Sequence, residues 1–376
     1  MNAGKDVAVL GSFAESLINF RGPLLQAMVD GGHRVVACAP AAPAAVVDAL
    51  AAMGVAYRDV PLKRAGMRLD HDLRALCSLV RLFRELRPDI VLTYTIKPVT
   101  YGLLAARFSR VPRRFAMITG LGYAFIAAGL RARLIGAAAR WLYRWSLNGA
   151  DRVFFQNPDD RALFEELRLL RRPEQTVMIN GSGVDLETFR PTPLPEGPAS
   201  FLLIARLLQE KGVREYVEAA RQMRAKGVQA TFDLVGWLDK GNPAAILEEE
   251  LRGWVADGVI HYHGQLDDVR PAIARTSVYV LPSYREGTPR TVLEAMAMGR
   301  PIITTDAPGC RATVEHGVNG FLVPVKDATS LAHAMETFVK EPGLAQKMGR
   351  ESRRIAEEKY NVHQVNSVIL EAMGLA

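Results

Sequence analysis

Two glutamates eight residues apart, Glu286 and Glu294, lie in the segment Leu281-Pro282-Ser283-Tyr284-Arg285-Glu286-Gly287-Thr288-Pro289-Arg290-Thr291-Val292-Leu293-Glu294-Ala295. Carboxylates accept hydrogen bonds from hydroxyl groups, which suits a sugar or a ribose. The apolar run Val278 to Leu281 precedes the segment and reads as a strand. Thr288 is placed to cap a helix, with Pro289 in its first turn. A helix start of this kind presents backbone N–H groups to an anion, and Gly287 admits a ligand close to the backbone. Glu286 then lies on the loop and Glu294 inside the helix, so they reach different parts of one ligand. Taken by itself, Glu294 reads as an exposed helical residue.

A second pair of residues follows another apolar run. Arg206 and Lys211 come directly after Phe201 to Ala205. Arginine offers a planar fork to a phosphate and lysine a point charge. Alone, they read as two solvated side chains at a strand end.

The elements that must hold these residues alternate along the chain. Strand candidates are Val7 to Leu10, Val35 to Ala39, Ile90 to Thr93, Phe115 to Ile118, Val153 to Phe155 and Val177 to Ile179. A helix is expected from Leu17 to Asp30, ended by Gly31-Gly32. The segment Phe189 to Ser200 carries Pro191, Pro193, Pro195 and Pro198 and reads as a linker. The alternation then restarts with Phe201 to Ala205, Phe232 to Val235, Val259 to His263, Val278 to Leu281 and Ile302 to Thr304. The expected architecture is α/β, with two doubly wound, Rossmann-like parallel-sheet domains facing a central cleft. The first domain spans residues 1–188, with a C-terminal helix at about 357–376 packing back on it; the second spans 189–356. Ligands of such sheets bind beyond the C-terminal strand ends, so the loops after strands matter most.

Composition sets outer limits. A chain of 376 residues exceeds one hydrophobic core, and 49% hydrophobic with 23% charged residues excludes a disordered chain. The net charge of +7 fits a phosphorylated ligand, an anionic membrane or a basic surface. Nucleic acid has only that charge behind it, without a matching motif. Cys38, Cys77 and Cys310 are too few and too scattered for a disulfide framework or a zinc site, and fit a reducing compartment. The N-terminus does not read as a signal peptide, and no apolar stretch is long enough to span a bilayer.

Together the two segments resemble the retaining glycosyltransferases of family 4, whose architecture is called GT-B. Arg206 and Lys211 match the family's R-x4-K element, and Glu286 and Glu294 its E-x7-E element. Gly299 to Asp306 and Gly317 to Val323 also fit. The resemblance implies that Arg206 and Lys211 neutralise the donor diphosphate and the departing nucleoside diphosphate. It implies that Glu286, Gly287, Thr288 and Pro289 contact the donor sugar and Glu294 the ribose. His263, Gly264 and Leu266 would lie near the base, and Gly11 would also face the donor. No cofactor or metal is implied; a UDP-sugar is the co-substrate.

The N-terminal half resembles a bacterial subgroup that builds lipid-linked oligosaccharide, capsule or O-antigen. Its members transfer N-acetylhexosamine-type sugars to undecaprenyl-diphosphate-linked acceptors. Ser12, Asn19, Arg21, Lys97, Thr119, Gly120, Gly122 and Tyr123 are the acceptor-side candidates. Thr119-Gly120 stands where many family members carry His-Gly. The region 121–145 combines Arg131, Arg133, Arg140 and Arg144 with aromatics at helical spacing, which suits an anionic bilayer surface. The expected location is therefore cytoplasmic and peripheral, on the inner face of the cytoplasmic membrane. A buried core helix with snorkelling arginines is the alternative. Two other functions compete: a nucleotide-sugar epimerase of the same architecture, and a non-catalytic glycosyltransferase-like subunit. The four matched charged residues argue against both. A dehydrogenase lacks its glycine motif, since Gly11 stands alone after the first strand.

Overall fold

A computed structural model of the protein describes residues 4–62, 69–120, 140–239 and 241–376. The chain divides into two compact units, residues 1–182 with 363–376, and residues 183–362. Among the described residues, each unit is built on one parallel sheet.

The first sheet has seven strands: β1 (Asp6–Leu10), β2 (Arg34–Ala39), β3 (Ala56–Asp59), β4 (Ile90–Tyr94), β5 (Arg113–Ile118), β6 (Arg152–Phe155) and β7 (Thr176–Met178), in the order β3-β2-β1-β4-β5-β6-β7. The winding reverses between β1 and β4, which pair directly from Val7↔Ile90 to Leu10↔Thr93. β4 is buried along its whole length, as an apolar run covered on both faces must be. The helix Val362–Met373 belongs to this unit from His363 onward and buries Val365, Ile369 and Met373 in its core. Each such side chain contributes about 1.5–3 kcal/mol relative to exposure.

The second sheet has six strands: β8 (Ala199–Ile204), β9 (Ala230–Val235), β10 (His261–Tyr262), β11 (Val278–Leu281), β12 (Ile302–Thr305) and β13 (Gly320–Val323), in the order β10-β9-β8-β11-β12-β13. Its winding reverses between β8 and β11, paired at Val278↔Phe201 and Tyr279↔Leu202.

The structure departs from the sequence expectations in several places. The expected helix Leu17–Asp30 is two helices, Glu15–Asn19 and Gly22–Asp30, because Phe20 and Arg21 interrupt it and Pro23 falls in the first turn of the second. Strands β3 and β13 had no counterpart in the apolar pattern. β3 is mostly exposed and reads Ala-Tyr-Arg-Asp, and β13 opens on Gly320. The proline-rich segment is not a free hinge. It lies within the second unit, where Phe189 is buried against the core.

Arg300 fastens that segment. Its side chain is fully buried, and burial lowers its pKa to about 10. Its guanidinium donates to the carbonyls of Thr192 (2.8 Å), Pro193 (3.0 Å), Ile273 (3.0 Å), Ala274 (2.9 Å) and Met298 (2.9 Å), and to Thr192 Oγ1 (2.7 Å). Buried carbonyls deprived of a donor are costly. Arg300→Met should therefore lower unfolding stability by about 3 kcal/mol or more. Urea denaturation measures this, and an unchanged midpoint would remove Arg300 from its role as a strap.

Candidate functional site

The winding reversal of the second sheet brings the charged residues together. Arg206 and Lys211 follow β8, and Glu286 follows its neighbour β11. Loops leaving two adjacent strands at a reversal diverge to opposite faces and leave a crevice between them. Here the Lys211 ammonium forms an ion pair with Glu286 Oε1, both side chains being less than one fifth exposed (18% and 14%). Arg206 Nη1 donates to Asp239 Oδ2 at 3.2 Å.

Backbone contacts fix this arrangement. Gly212 has φ +70°, and a Cβ there would run into the Pro282 carbonyl. Only glycine suits both the conformation and the approach. Tyr284 N donates to Glu210 O at 2.9 Å, and Tyr284 Oη to Glu215 Oε1 at 2.6 Å. The Lys211 and Glu286 loops are thus laced to each other. From the other side, Glu286 N donates to Pro308 O at 3.0 Å. Gly309, at φ +77°, packs its Cα against the Glu286 carbonyl. Thr304 Oγ1 donates to Leu281 O at 2.7 Å, and Thr305 Oγ1 to Ser283 O. Cys310 lies under the same loop; burial first, and the Glu286 charge next, push its thiol up to about 12. A thiol so protonated is no nucleophile at neutral pH.

Glu294 lies in the helix Arg290–Ala297 and is 5% exposed. It is therefore not an exposed helical residue. Arg290 Nε donates to its Oε1 at 2.7 Å, one turn earlier on the same helix. Pro289, not Thr288, occupies the cap position of this helix, and its side chain gives no cap bond. Burial raises the pKa of Glu294, with Arg290 opposing the shift. Tyr279 on β11 lies beneath the site. Burial mainly, then the Glu294 and Glu286 charges, raise its hydroxyl well above the usual value. That hydroxyl donates to Ile204 O at 3.1 Å, at the end of β8 two residues before Arg206.

The residues expected near the base follow β10, two strands out from β8. His263 Nε2 is 2.6 Å from Asp233 Oδ1 on β9, and the Gly264 carbonyl accepts from Gly236 N at 2.8 Å. Leu266 packs partly buried against the core beneath Glu294's helix.

In the first unit, the reversal between β1 and β4 gathers a second set. The Gly11 Cα lies against the Tyr94 hydroxyl, which is 2.8 Å from Ser16 Oγ. Thr95 Oγ1 donates to Ser12 Oγ at 2.8 Å. Lys97 Nζ pairs with Asp72 Oδ1 at 2.7 Å, both largely buried. Arg21 is 3% exposed, stacks on the Tyr94 ring at 5.1 Å and donates to Ser182 Oγ at 3.2 Å. It therefore braces the strand end from within the unit. Asn19 is exposed, and Thr119 and Gly120 are half-buried just beyond β5. Gly122 and Tyr123 lie outside the described residues, as does the greater part of the basic aromatic region 121–145.

Sequence reasoning missed Asp239, Asp72 and Tyr94, each a direct partner of a residue it named. All three lie near strand ends or helix starts, but single polar residues there carry no spacing signal. Among the described residues, no group of three or more His, Cys, Asp or Glu side chains is placed to hold a metal ion.

Because Glu294 takes up a proton more readily folded than unfolded, its ionisation works against the fold. That cost is absent below the ordinary value of 4.5 and grows as pH rises through the elevated pKa. Glu294→Gln should therefore gain stability relative to the parent between pH 4 and pH 7, in denaturation series at matched salt. A stability difference independent of pH would contradict the buried, proton-favouring site.

Comparison with known proteins places this geometry in a context. Residues 21–181 match a family model described as glycosyl transferase 4-like domain, and residues 198–341 one described as glycosyl transferases group 1. A Campylobacter jejuni protein named N,N'-diacetylbacillosaminyl-diphospho-undecaprenol alpha-1,3-N-acetylgalactosaminyltransferase is 27% identical over 351 residues, 90% of each chain. The Staphylococcus aureus capsular polysaccharide biosynthesis glycosyltransferase CapM is 24% identical over 80% of each. The Anabaena HepE structure in complex with UDP and glucose superposes with a TM-score of 0.79 at 18% identity, covering 99% of this chain and 100% of that one.

Proposed function

This chain belongs to the group 1 glycosyltransferases of family 4, and from that premise we propose that it moves an N-acetylhexosamine from a UDP-sugar to a saccharide carried on a polyprenyl diphosphate. The observation that carries the reading is the meeting of Lys211 with Glu286 at the winding reversal of the second sheet. A cation and a carboxylate there serve the two halves of a nucleotide-sugar: the diphosphate and the sugar hydroxyls.

In the proposed reaction the bond from the sugar's anomeric carbon to the β-phosphate oxygen breaks. An acceptor hydroxyl bonds to that carbon on the same face, so configuration is retained. The hydroxyl proton passes to the departing phosphate oxygen, and UDP leaves. Negative charge grows on the diphosphate as the bond breaks, and Arg206 and Lys211 answer it from fixed positions. Glu286 holds the sugar hydroxyls and Glu294 the ribose.

The name of the Campylobacter relative supports an undecaprenyl-diphosphate acceptor and an N-acetylgalactosamine donor. No described helix is long and apolar enough to cross a membrane. Contact with the cytoplasmic membrane is proposed to be peripheral. The helical residues 140–147, at the end of the 121–145 region and just beyond it, support it: Trp141 is 66% exposed and stacks on Trp145 at 6.1 Å, while Tyr143 and Leu147 face the core.

Incubation with UDP-N-acetylhexosamines and a short polyprenyl-diphosphate saccharide tests the transfer. Glu286→Ala should abolish product while the fold persists, and full activity in that variant would overturn the site. Arg206→Ala and Lys211→Ala should each weaken UDP binding by about 1.5–3 kcal/mol. For the membrane, sedimentation with vesicles containing anionic phospholipid should recover the parent chain. Combined Trp141→Ala, Arg140→Ala and Arg144→Ala should recover at least tenfold less, each basic residue being worth roughly 1 kcal/mol near such a surface. Equal recovery would sink the peripheral contact.

A further inference from the structure

Arg206 has a partner that belongs to neither charged motif. Asp239 lies on the stretch between β9 and the helix Glu248–Ala256. This stretch is bonded along the segment that carries Arg206. Leu207 N donates to Trp237 O at 3.0 Å, Gln209 N to Ala244 O at 2.8 Å, and Ile246 N to Leu207 O at 2.9 Å. A turn built on Asn242 closes it: Asn242 N donates to Asp239 O at 2.8 Å, and Asn242 Oδ1 accepts from Ala244 N at 3.0 Å. The Asp239 carboxylate is thus carried on a framework anchored to the backbone of Leu207 and Gln209, directly after Arg206. It engages one nitrogen of the fork, Nη1, at 3.2 Å, with both side chains under one third exposed (28% and 29%). A bidentate pair would take two of the guanidinium's five N–H donors; a single bond leaves four for an anion.

We propose that Asp239 is a positioning residue: it holds the Arg206 guanidinium in the orientation that meets the diphosphate of the nucleotide. The inference rests on the donor-site reading above. Two opposing effects act at Asp239. Its charge repels the diphosphate, while its hydrogen bond removes rotamer freedom that Arg206 would otherwise lose on binding. Positioning requires that the second effect exceed the first, and only while Arg206 is present.

A double-mutant cycle on UDP affinity, measured by titration calorimetry with the full chain, separates the two. Asp239→Ala should weaken UDP binding roughly fivefold in the parent. In the Arg206→Ala background, the same change should leave affinity unchanged or strengthen it, since only repulsion remains there. Asp239→Asn keeps an oxygen that accepts from Nη1 and should stay within about twofold of the parent. Tighter binding by Asp239→Ala in the parent, or an equal loss in both backgrounds, would overturn the proposal. Failure of the donor-site reading is distinct: the parent would not bind UDP, or Arg206→Ala would bind it as tightly as the parent.

Discussion

The Lys211 ammonium and the Glu286 carboxylate hold one another at the point where, among the described residues, the strand order of the second sheet reverses between the parallel strands β8 and β11. Two oppositely charged groups at short range in a partly buried site would collapse to any geometry their loops allowed. Their usefulness therefore depends on loops that allow one geometry. The lacing of Tyr284 to Glu210 and Glu215, the Gly212 approach to Pro282 and the Gly309 approach to Glu286 supply that restriction through backbone and short side chains. A pair so held forms without further ordering cost, and on the proposed reading an incoming ligand with a phosphate and hydroxyls would exchange one set of charge partners for another.

The same logic explains which parts were legible in the sequence. Apolar runs that become interior strands, such as Ile90–Tyr94 and Val278–Leu281, announce themselves because burial on both faces demands continuous hydrophobicity. β3 was invisible because an edge strand with exposed Ala56, Arg58 and Asp59 and only a half-buried Tyr57 has no such demand. The proline density before Ser200 suggested a joint, since prolines remove backbone donors. The sequence offered no sign that Arg300, over a hundred residues later, supplies donors to the carbonyls left there. Long-range satisfaction of backbone acceptors has no local spacing, so pattern reasoning does not find it.

The charged pairs were legible only as motif text. The spacing of Arg206 to Lys211, or of Glu286 to Glu294, contains no information on which of the four meet. The sheet order decides that, by placing β8 beside β11. Glu294 is the instructive member. On spacing alone it suits a solvated helical face, yet the helix turns it inward above Tyr279, where Arg290 is its ion-pair partner. Its neighbours, rather than its period, define its chemistry.

Charge balance gives the site its final constraint. Arg206 is matched by Asp239, Lys211 by Glu286 and Arg290 by Glu294, so three of the site's cations each have a carboxylate within reach. A dianionic ligand gains little from an electrostatic funnel built of neutral pairs, and affinity must come from short-range geometry. In the proposed reaction that favours recognition of the departing diphosphate over the bound donor. There, charge that grows during bond breaking would strengthen its bonds to fixed donors, whereas the resting donor would first have to separate Glu286 from Lys211. On that proposal, the site would hold its substrate modestly and direct its strongest interactions to the separation of charge.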